Sequence, residues 1–383
     1  MATINKKWGT VIGCWCVALV MIITGVCLGL VIPSSAAEDA VAVVTCGDTV
    51  EYFTDITKVQ DYVGKLTTSK ESPAVVKLLK DIHTDQDVGV GAIHEGSDMQ
   101  AHYVVFDLAG HILQSDNQIV LGCALGGSFT VMDSNPTVTR YAVRHRDSNG
   151  VVSYEFFDSD DLPKGTSSAD VIQGGVVTGK NVLFNSFYGG HDLTINGGNF
   201  LGTGHIEASG WGTDFEMTEE DEQKYIDMLG FVPSGSIIIN GGLMQLYETD
   251  YEGLTGNYGI RMLYNGNLEI NGGSIFGKVA YLDSITEAVV DVDLTNPQTD
   301  KVKINTNIRM EETEINGVKV YTAVDATTGE PIVPDVPAAT EQPANDNNNL
   351  IGLIILGTAA AVMVVGVIVI IIVNAKRRNK KVA

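Results

Sequence analysis

The chain has 383 residues, 44% of them hydrophobic, with 47 acidic against 24 basic side chains and a formal net charge of −23. A balance so acidic excludes nucleic acid and anionic lipid as electrostatic partners, because both would be repelled. Five cysteines in a chain of this length likewise exclude a disulfide-framed scaffold.

The N-terminus predicts a secretory signal over 1–37. Lys6 and Lys7 precede an apolar run from about Gly9 to Ile32, followed by Pro33 and the small residues Ser34 to Ala37. Cys14, Cys16 and Cys27 fall inside that signal, which leaves Cys46 and Cys123 as the only exported cysteines. The exported part begins near Glu38, holds all 47 acidic residues and 17 of the basic ones, and so carries a net −30. It contains no Asn-x-Ser/Thr acceptor for glycosylation, which together with the low cysteine content points to a bacterial surface protein.

In "ITKVQDYVGKL" (56–66), Ile56, Val59, Tyr62, Val63 and Leu66 recur at helical spacing and predict one short amphipathic helix. Almost everything after it reads as strand. "AVVKLLKDI", "HYVVFDLAGHIL", "NQIVLG", "GSFTVMD", "AVVDVDL" and "GVKVYTAV" are short β-branched or aromatic runs bounded by Gly, Asn, Asp or Ser. The fold class expected is all-β.

At 140–161, "RYAVRHRDSNGVVSYEFFDSDD", two alternating runs flank Asn149-Gly150, a strong hairpin signal. The segment predicts a β-hairpin insertion projecting from the main body. Its Arg140, Arg144 and Arg146 form the densest basic cluster of an acidic domain and are expected to pair with Asp158, Asp160 and Asp161.

Three later segments repeat one phrase, "LTINGGNF" (193–200), "IIINGGLM" (237–244) and "LEINGGSI" (268–275). Repetition at tens of residues predicts a stacked solenoid. Asn196-Gly197-Gly198, Asn240-Gly241-Gly242 and Asn271-Gly272-Gly273 are then its corners, since these residues accept positive φ and asparagine amides can bond from rung to rung. The asparagines are 44 and 31 residues apart, which suggests two coils in the first gap and one coil with a loop in the second. Phe187, Tyr188, Trp211 and Phe215 lie near loops and are the aromatic candidates for sugar contact.

Residues 325–349, rich in Pro, Ala, Thr and Asn, read as a stalk after an ectodomain spanning 38–324. Leu350 to Val373 carries no charge and is long enough to span a hydrocarbon core of about 30 Å as a transmembrane helix. The basic tail 374–383, with Lys376, Arg377, Arg378, Lys380 and Lys381, places the C-terminus in the cytoplasm. The expected protein is held in the cell membrane by a single span, with its N-terminal domain outside.

The ordered phrases "VVKLLKDI", "VVFDLAGHIL", "GSFTVMDS", "GGVVTG" and "LTINGGNF" resemble the exported right-handed parallel β-helix proteins of gut Clostridia and other Firmicutes, of pectin-lyase-like architecture. The resemblance covers about 75–280. It implies a right-handed β-helix at the cell surface, capped at its N-terminal end by the 56–66 helix, and says little of activity because that architecture hosts many functions.

No catalytic spacing is legible. The histidines (83, 94, 102, 111, 145, 191, 205) form no metal-binding pair, no Gly-x-Ser-x-Gly elbow exists, and His111 inside "DLAGHIL" reads as a corner residue. "DSDD" (158–161) and "EMTEEDE" (216–222) offer carboxylates of the kind Ca2+ takes, without the spacing of a dedicated loop, so no cofactor is expected. The functional expectation is a non-catalytic display, adhesion or glycan-binding module for cell-wall or host glycans. Its contacts would come from Arg144, Arg146, Phe187, Tyr188 and Trp211. The alternative is a polysaccharide lyase or glycoside hydrolase using outward carboxylates.

Overall fold

A computed structural model describes residues 38–91, 102–122, 127–158, 161–163, 169–185, 191–209, 235–247, 258–263, 266–283, 288–315 and 318–332, with isolated positions at 223, 224 and 227. All belong to a unit ending at Val336; a second unit, Pro337–Ala383, lies outside the described residues, as does the segment 1–37 read above as a signal. No helix among the described residues is long and apolar enough to cross a membrane, and the 350–373 run is not among them.

The described chain is mostly strand. One sheet runs in the order β2 (Thr49–Phe53), β1 (Ala42–Cys46), β3 (Ala74–Leu78), β6 (His102–Asp107), β8 (Gly127–Met132), β13 (His191–Ile195), β15 (Ser236–Ile239), β18 (Asn267–Ile270) and β22 (Val302–Ile304). From β3 to β22 every pairing is parallel and follows chain order. The second sheet takes the intervening strands. Its parallel centre is β7 (Ile112–Leu121), β12 (Val176–Asn185) and β14 (Asn199–Ser209). On one side β4 (Ile82–Thr84) and β5 (Val88–Val90) pair with the two halves of β7. On the other, β16 (Leu243–Tyr247) and β17 (Tyr258–Leu263) pair with the two halves of β14, and β19 (Ser274–Phe276) and β20 (Lys278–Leu282) continue them. The register shifts within β12 beyond Gly179, so one long strand serves two directions.

Side-chain alternation places every second residue of the first sheet inside. Ala74, Val104, Phe129, Leu193, Ile237, Leu268 and Val302 stack in one buried column, and Val76, Phe106, Val131, Ile195, Ile239 and Ile270 in the next. Leu113, Val177, Phe200, Met244 and Ile275 of the second sheet join the same core. Burying each such side chain is worth about 1.5–3 kcal/mol, and a column repeats that gain strand by strand.

Both ends depart from the parallel pattern. At the N-terminal end β1 and β2 form an antiparallel pair that the strand signals after residue 66 did not include. A 3-10 turn (Ile56–Lys58) leads into α1 (Val59–Val63), started by the Asp55 side chain accepting from the Thr57 N–H. Ile56, Val59 and Val63 enter the core, and Tyr62 meets Phe53 edge-on at 5.3 Å. At the other end β21 (Val289–Val292), β23 (Ile308–Ile315) and β24 (Val318–Asp325) pair antiparallel, and β23 exposes Glu311, Glu312 and Glu314. Charge on an outer strand discourages edge-to-edge association. The fold also continues beyond the boundary expected at 324: Val324 bridges Pro331, and Ile332 packs on the core.

A third sheet holds the hairpin. β9 (Thr139–Arg146) pairs antiparallel with β10 (Val152–Phe157) and β11 (Asp170–Gln173), and Gly150 turns the hairpin at φ +86°. It does not project. The outer face of the second sheet is apolar at Ile112, Val176 and Leu201, and Ala142, Val152, Tyr154 and Ile172 of the third sheet cover it. Thr203 fixes the attachment, accepting from the Val152 N–H at 2.8 Å and donating to the Val152 carbonyl.

Candidate functional site

Each parallel strand of the first sheet must turn toward the second, and the repeated phrase sits at that turn. Gly198, Gly242 and Gly273 have φ of +86°, +91° and +86°. A Cβ on Gly242 would stand 2.4 Å from the Gly198 carbonyl oxygen, so the second glycine of the phrase meets both a backbone and a packing demand. The Asn240 amide donates to Asn196 Oδ1 at 2.7 Å, Asn271 donates to Asn240 Oδ1 at 2.9 Å, and Asn305 donates to Asn271 Oδ1 at 3.0 Å. Asn305 was missed as a corner because "KINTN" lacks the glycines. The signal it does share is Ile-Asn, present at 195–196, 239–240, 270–271 and 304–305.

Asn240 lying beside Asn196 corrects the coil count. β13 pairs with β15 directly, so the 44-residue gap is one step of the ladder and not two. The extra length lies in the segment between Ser209 and Gly235, mostly outside the described residues.

Earlier corners use acids. The buried Asp133 carboxylate accepts from the Gly110 and Gly175 N–H groups at 2.6 Å each, and Asp107 accepts from Ala109 and Ser134. His111 lies there too, its Nδ1 3.1 Å from Asp81 Oδ1. Asp81 also receives Arg140, at 3.0 and 3.2 Å, while the other arm of Arg140 donates to the Gly110 carbonyl at 2.6 Å. Arg140 thus ties the third sheet to this corner. Neither Asp158 nor Asp161 pairs with an arginine of the hairpin, and Asp160 lies outside the described residues: Arg140 goes to Asp81, while Arg144 and Arg146, both exposed, go to Tyr247.

Arg144 and Arg146 converge on one residue. Arg144 Nη1 donates to the Tyr247 hydroxyl at 3.0 Å, and both guanidinium carbons lie 5.8 Å from the centre of the Tyr247 ring. Gln245 Nε2 donates to the same hydroxyl at 2.9 Å. Tyr154 lies opposite Arg144 in the hairpin register and is 3% exposed. Burial, with Tyr247 beside it, pushes its phenol well above the usual range. Phe187, Tyr188 and Trp211 lie outside the described residues, as does Cys123; Cys46 is a free thiol, 3.7 Å from the Thr67 carbonyl.

A second charged group lies along β14 and β17. Glu207 bonds Arg261 Nε, Arg261 Nη2 is 2.8 Å from His205 Nε2, and all three are buried. Burial, reinforced by Arg261, lowers the His205 pKa to about 3, so its imidazole is neutral across the physiological range. No group of three or more His, Cys, Asp or Glu arranged for a metal occurs among the described residues.

No family model, curated protein or solved structure matches the chain.

Proposed function

We propose that the chain is a membrane-anchored bacterial surface protein whose exported part is a right-handed parallel β-helix that presents a glycan-binding surface. The stacking supports the architecture: parallel strands add in chain order while the chain alternates between two sheets, and parallel crossovers overwhelmingly take the right hand. The signal-like start, the apolar run at 350–373 and the basic tail support the location.

One observation carries the binding reading. The third sheet, β9 to β11, interrupts the rung pattern and lies on the outside of the second sheet, with Arg144 and Arg146 brought to Tyr247 at its margin. Stacked-repeat proteins carry such insertions on a binding face. The placed titratable groups favour binding over chemistry. Asp81, His111 and Arg140 are spent on a corner, and the buried His205 imidazole, with a pKa of about 3, is too weak a base for proton abstraction near neutrality.

The test applies the purified full-length chain to a glycan array and, separately, to polyuronides with Ca2+. Retention on glycans without unsaturated products or new reducing ends is expected. Turnover of a polyuronide would replace this reading with that of a polysaccharide lyase or hydrolase.

A further inference from the structure

An antiparallel sheet packed on a core by one face ordinarily turns its polar residues to the other. The third sheet does not. Ala142, Val152, Tyr154 and Ile172 are buried against the second sheet, so by alternation Tyr141, Val143, Glu155, Phe157 and Val171 take the opposite face. Register sets Phe157 and Val171 on either side of Tyr141, in one row across the three strands, with Val143 opposite Glu155 in the next. Val171 is 59% exposed, the most open large hydrophobic side chain among the described residues. Tyr141 and Phe157 are half-buried, and neither ring stacks on another described ring.

Size and charge narrow what covers this row. Two half-covered rings and a valine leave on the order of 300 Å² of open apolar surface, taking roughly 150–250 Å² for a whole aromatic side chain. A stable protein partner needs about 800 Å², so the row suits a small ligand. Residues 38–373 hold 47 acidic and 17 basic side chains, a net −30, whose field draws cations and repels anions. Glu155 stands on the same face two residues from Phe157, and Asp158, Asp161 and Asp170 are exposed near the strand ends. The sheet's arginines are engaged on its other face, Arg140 with Asp81, Arg144 and Arg146 with Tyr247. His145 is the basic side chain of the outer face, 3.6 Å from Glu155. Aromatic faces add their own attraction for a cation.

We propose that the outer face of the third sheet binds a sugar bearing a free amino group, a hexosamine, with its ring on Tyr141 and Phe157 and its ammonium at Glu155. The assignment rests on the glycan-binding reading and narrows it to a ligand of charge opposite to the domain. A pyranose fits because its C–H face covers an aromatic ring while its hydroxyl rim stays in water. Residues two apart on a strand are separated by about 6.7 Å, a span that one sugar ring bridges from Phe157 to the Glu155 carboxylate.

The experiment is calorimetric titration of the full-length chain with a glucosamine trimer, with the N-acetylated trimer, cellotriose and spermidine as controls, repeated on Phe157→Ala, Val171→Arg and Glu155→Gln. Val171 is exposed, so Val171→Arg leaves folding intact while setting a like charge beside the rings. Expected are saturable binding of the glucosamine trimer and at least tenfold weaker binding of the N-acetylated trimer and cellotriose. Val171→Arg should lose at least tenfold at an unchanged melting temperature, Phe157→Ala a similar amount, and Glu155→Gln should bring the two trimers closer together. Spermidine binding as tightly as the glucosamine trimer would reduce the effect to the general field and overturn the site. Equal binding of the N-acetylated trimer would overturn the charge assignment, and binding unchanged by Val171→Arg would place the site elsewhere. Retention of other glycans on the array with no glucosamine binding would overturn this inference alone, whereas no retention of any glycan would overturn the broader reading with it.

Discussion

The side-chain amide of Asn240 donates to Asn196 at 2.7 Å across 44 residues of sequence and accepts from Asn271 at 2.9 Å, making it an interior member of a four-asparagine ladder. Replacing it by alanine removes two bonds and strands a donor on one neighbour and an acceptor on the other. At about 1 kcal/mol for each half-buried bond, Asn240→Ala should cost roughly 2 kcal/mol. Asn196→Ala, which removes one bond, should cost about half as much. Chemical denaturation of both variants checks the ratio; equal costs would mean that the amides act singly.

The paired glycines predict an asymmetry. Gly242→Ala must hold φ at +91° with its Cβ 2.4 Å from a carbonyl oxygen, and should lose on the order of 2 kcal/mol or more. At Gly197, the first glycine of its pair, a new Cβ meets nothing nearer than 3.9 Å. Gly197→Ala should stay within about 0.5 kcal/mol of the parent. Thermal melts of the two variants decide it, and a large loss at Gly197 would show that the corner is shaped otherwise.

His205 makes stability depend on pH with a definite sign. Its folded pKa is about 3, depressed from an unfolded value of about 6.5 by burial and by Arg261. Between those values the unfolded chain takes up a proton that the folded chain refuses, so stability falls as pH falls, by about 1.4 kcal/mol per unit from this residue. His205→Gln should flatten the profile from about pH 6 down to about pH 4. Parallel profiles for parent and variant would show that His205 titrates freely.

Much of this fold was legible before any coordinates. Strands appear where β-branched runs end in Gly or Asn, because alternation and turn chemistry are local properties. The hairpin at Asn149-Gly150 was readable for the same reason, but its seating was not. That seating depends on an apolar outer face at Ile112, Val176 and Leu201, and residues in continuous apolar strands do not announce which side is covered. Arg144 and Arg146 were visible as a basic cluster, yet Tyr247 is 103 residues from Arg144 and nothing in its own segment marks it as their seat. β1 and β2 were passed over because their apolar residues follow so closely on the apolar run at 9–32, which reads as a signal.

The first end of the stack offers a further check. Val59 is fully buried in α1 and Tyr62 is half-buried against Phe53. Val59→Asp puts an unpaired charge in the core, costs several kcal/mol by the usual scale for such changes, and uncovers the first strands. Light scattering should then report soluble aggregates, with a milder effect for Tyr62→Asp. A monomeric Val59→Asp of parental stability would show that the helix covers nothing the fold needs.

The central claim is that the chain adds parallel strands in register, one after another, from β3 to β22. Val75, Val105, Thr130, Thr194, Ile238, Glu269 and Lys303 form one continuous row on the outer face of the first sheet. Spin labels at Val75→Cys and Lys303→Cys, with the native cysteines replaced by serine, should therefore sit six inter-strand steps apart. Pulsed dipolar spectroscopy should give one narrow distribution near 29 Å, taking roughly 4.8 Å per step. A maximum below about 20 Å, which a sheet folded back on itself would produce, or a broad distribution with no defined maximum, would contradict the account.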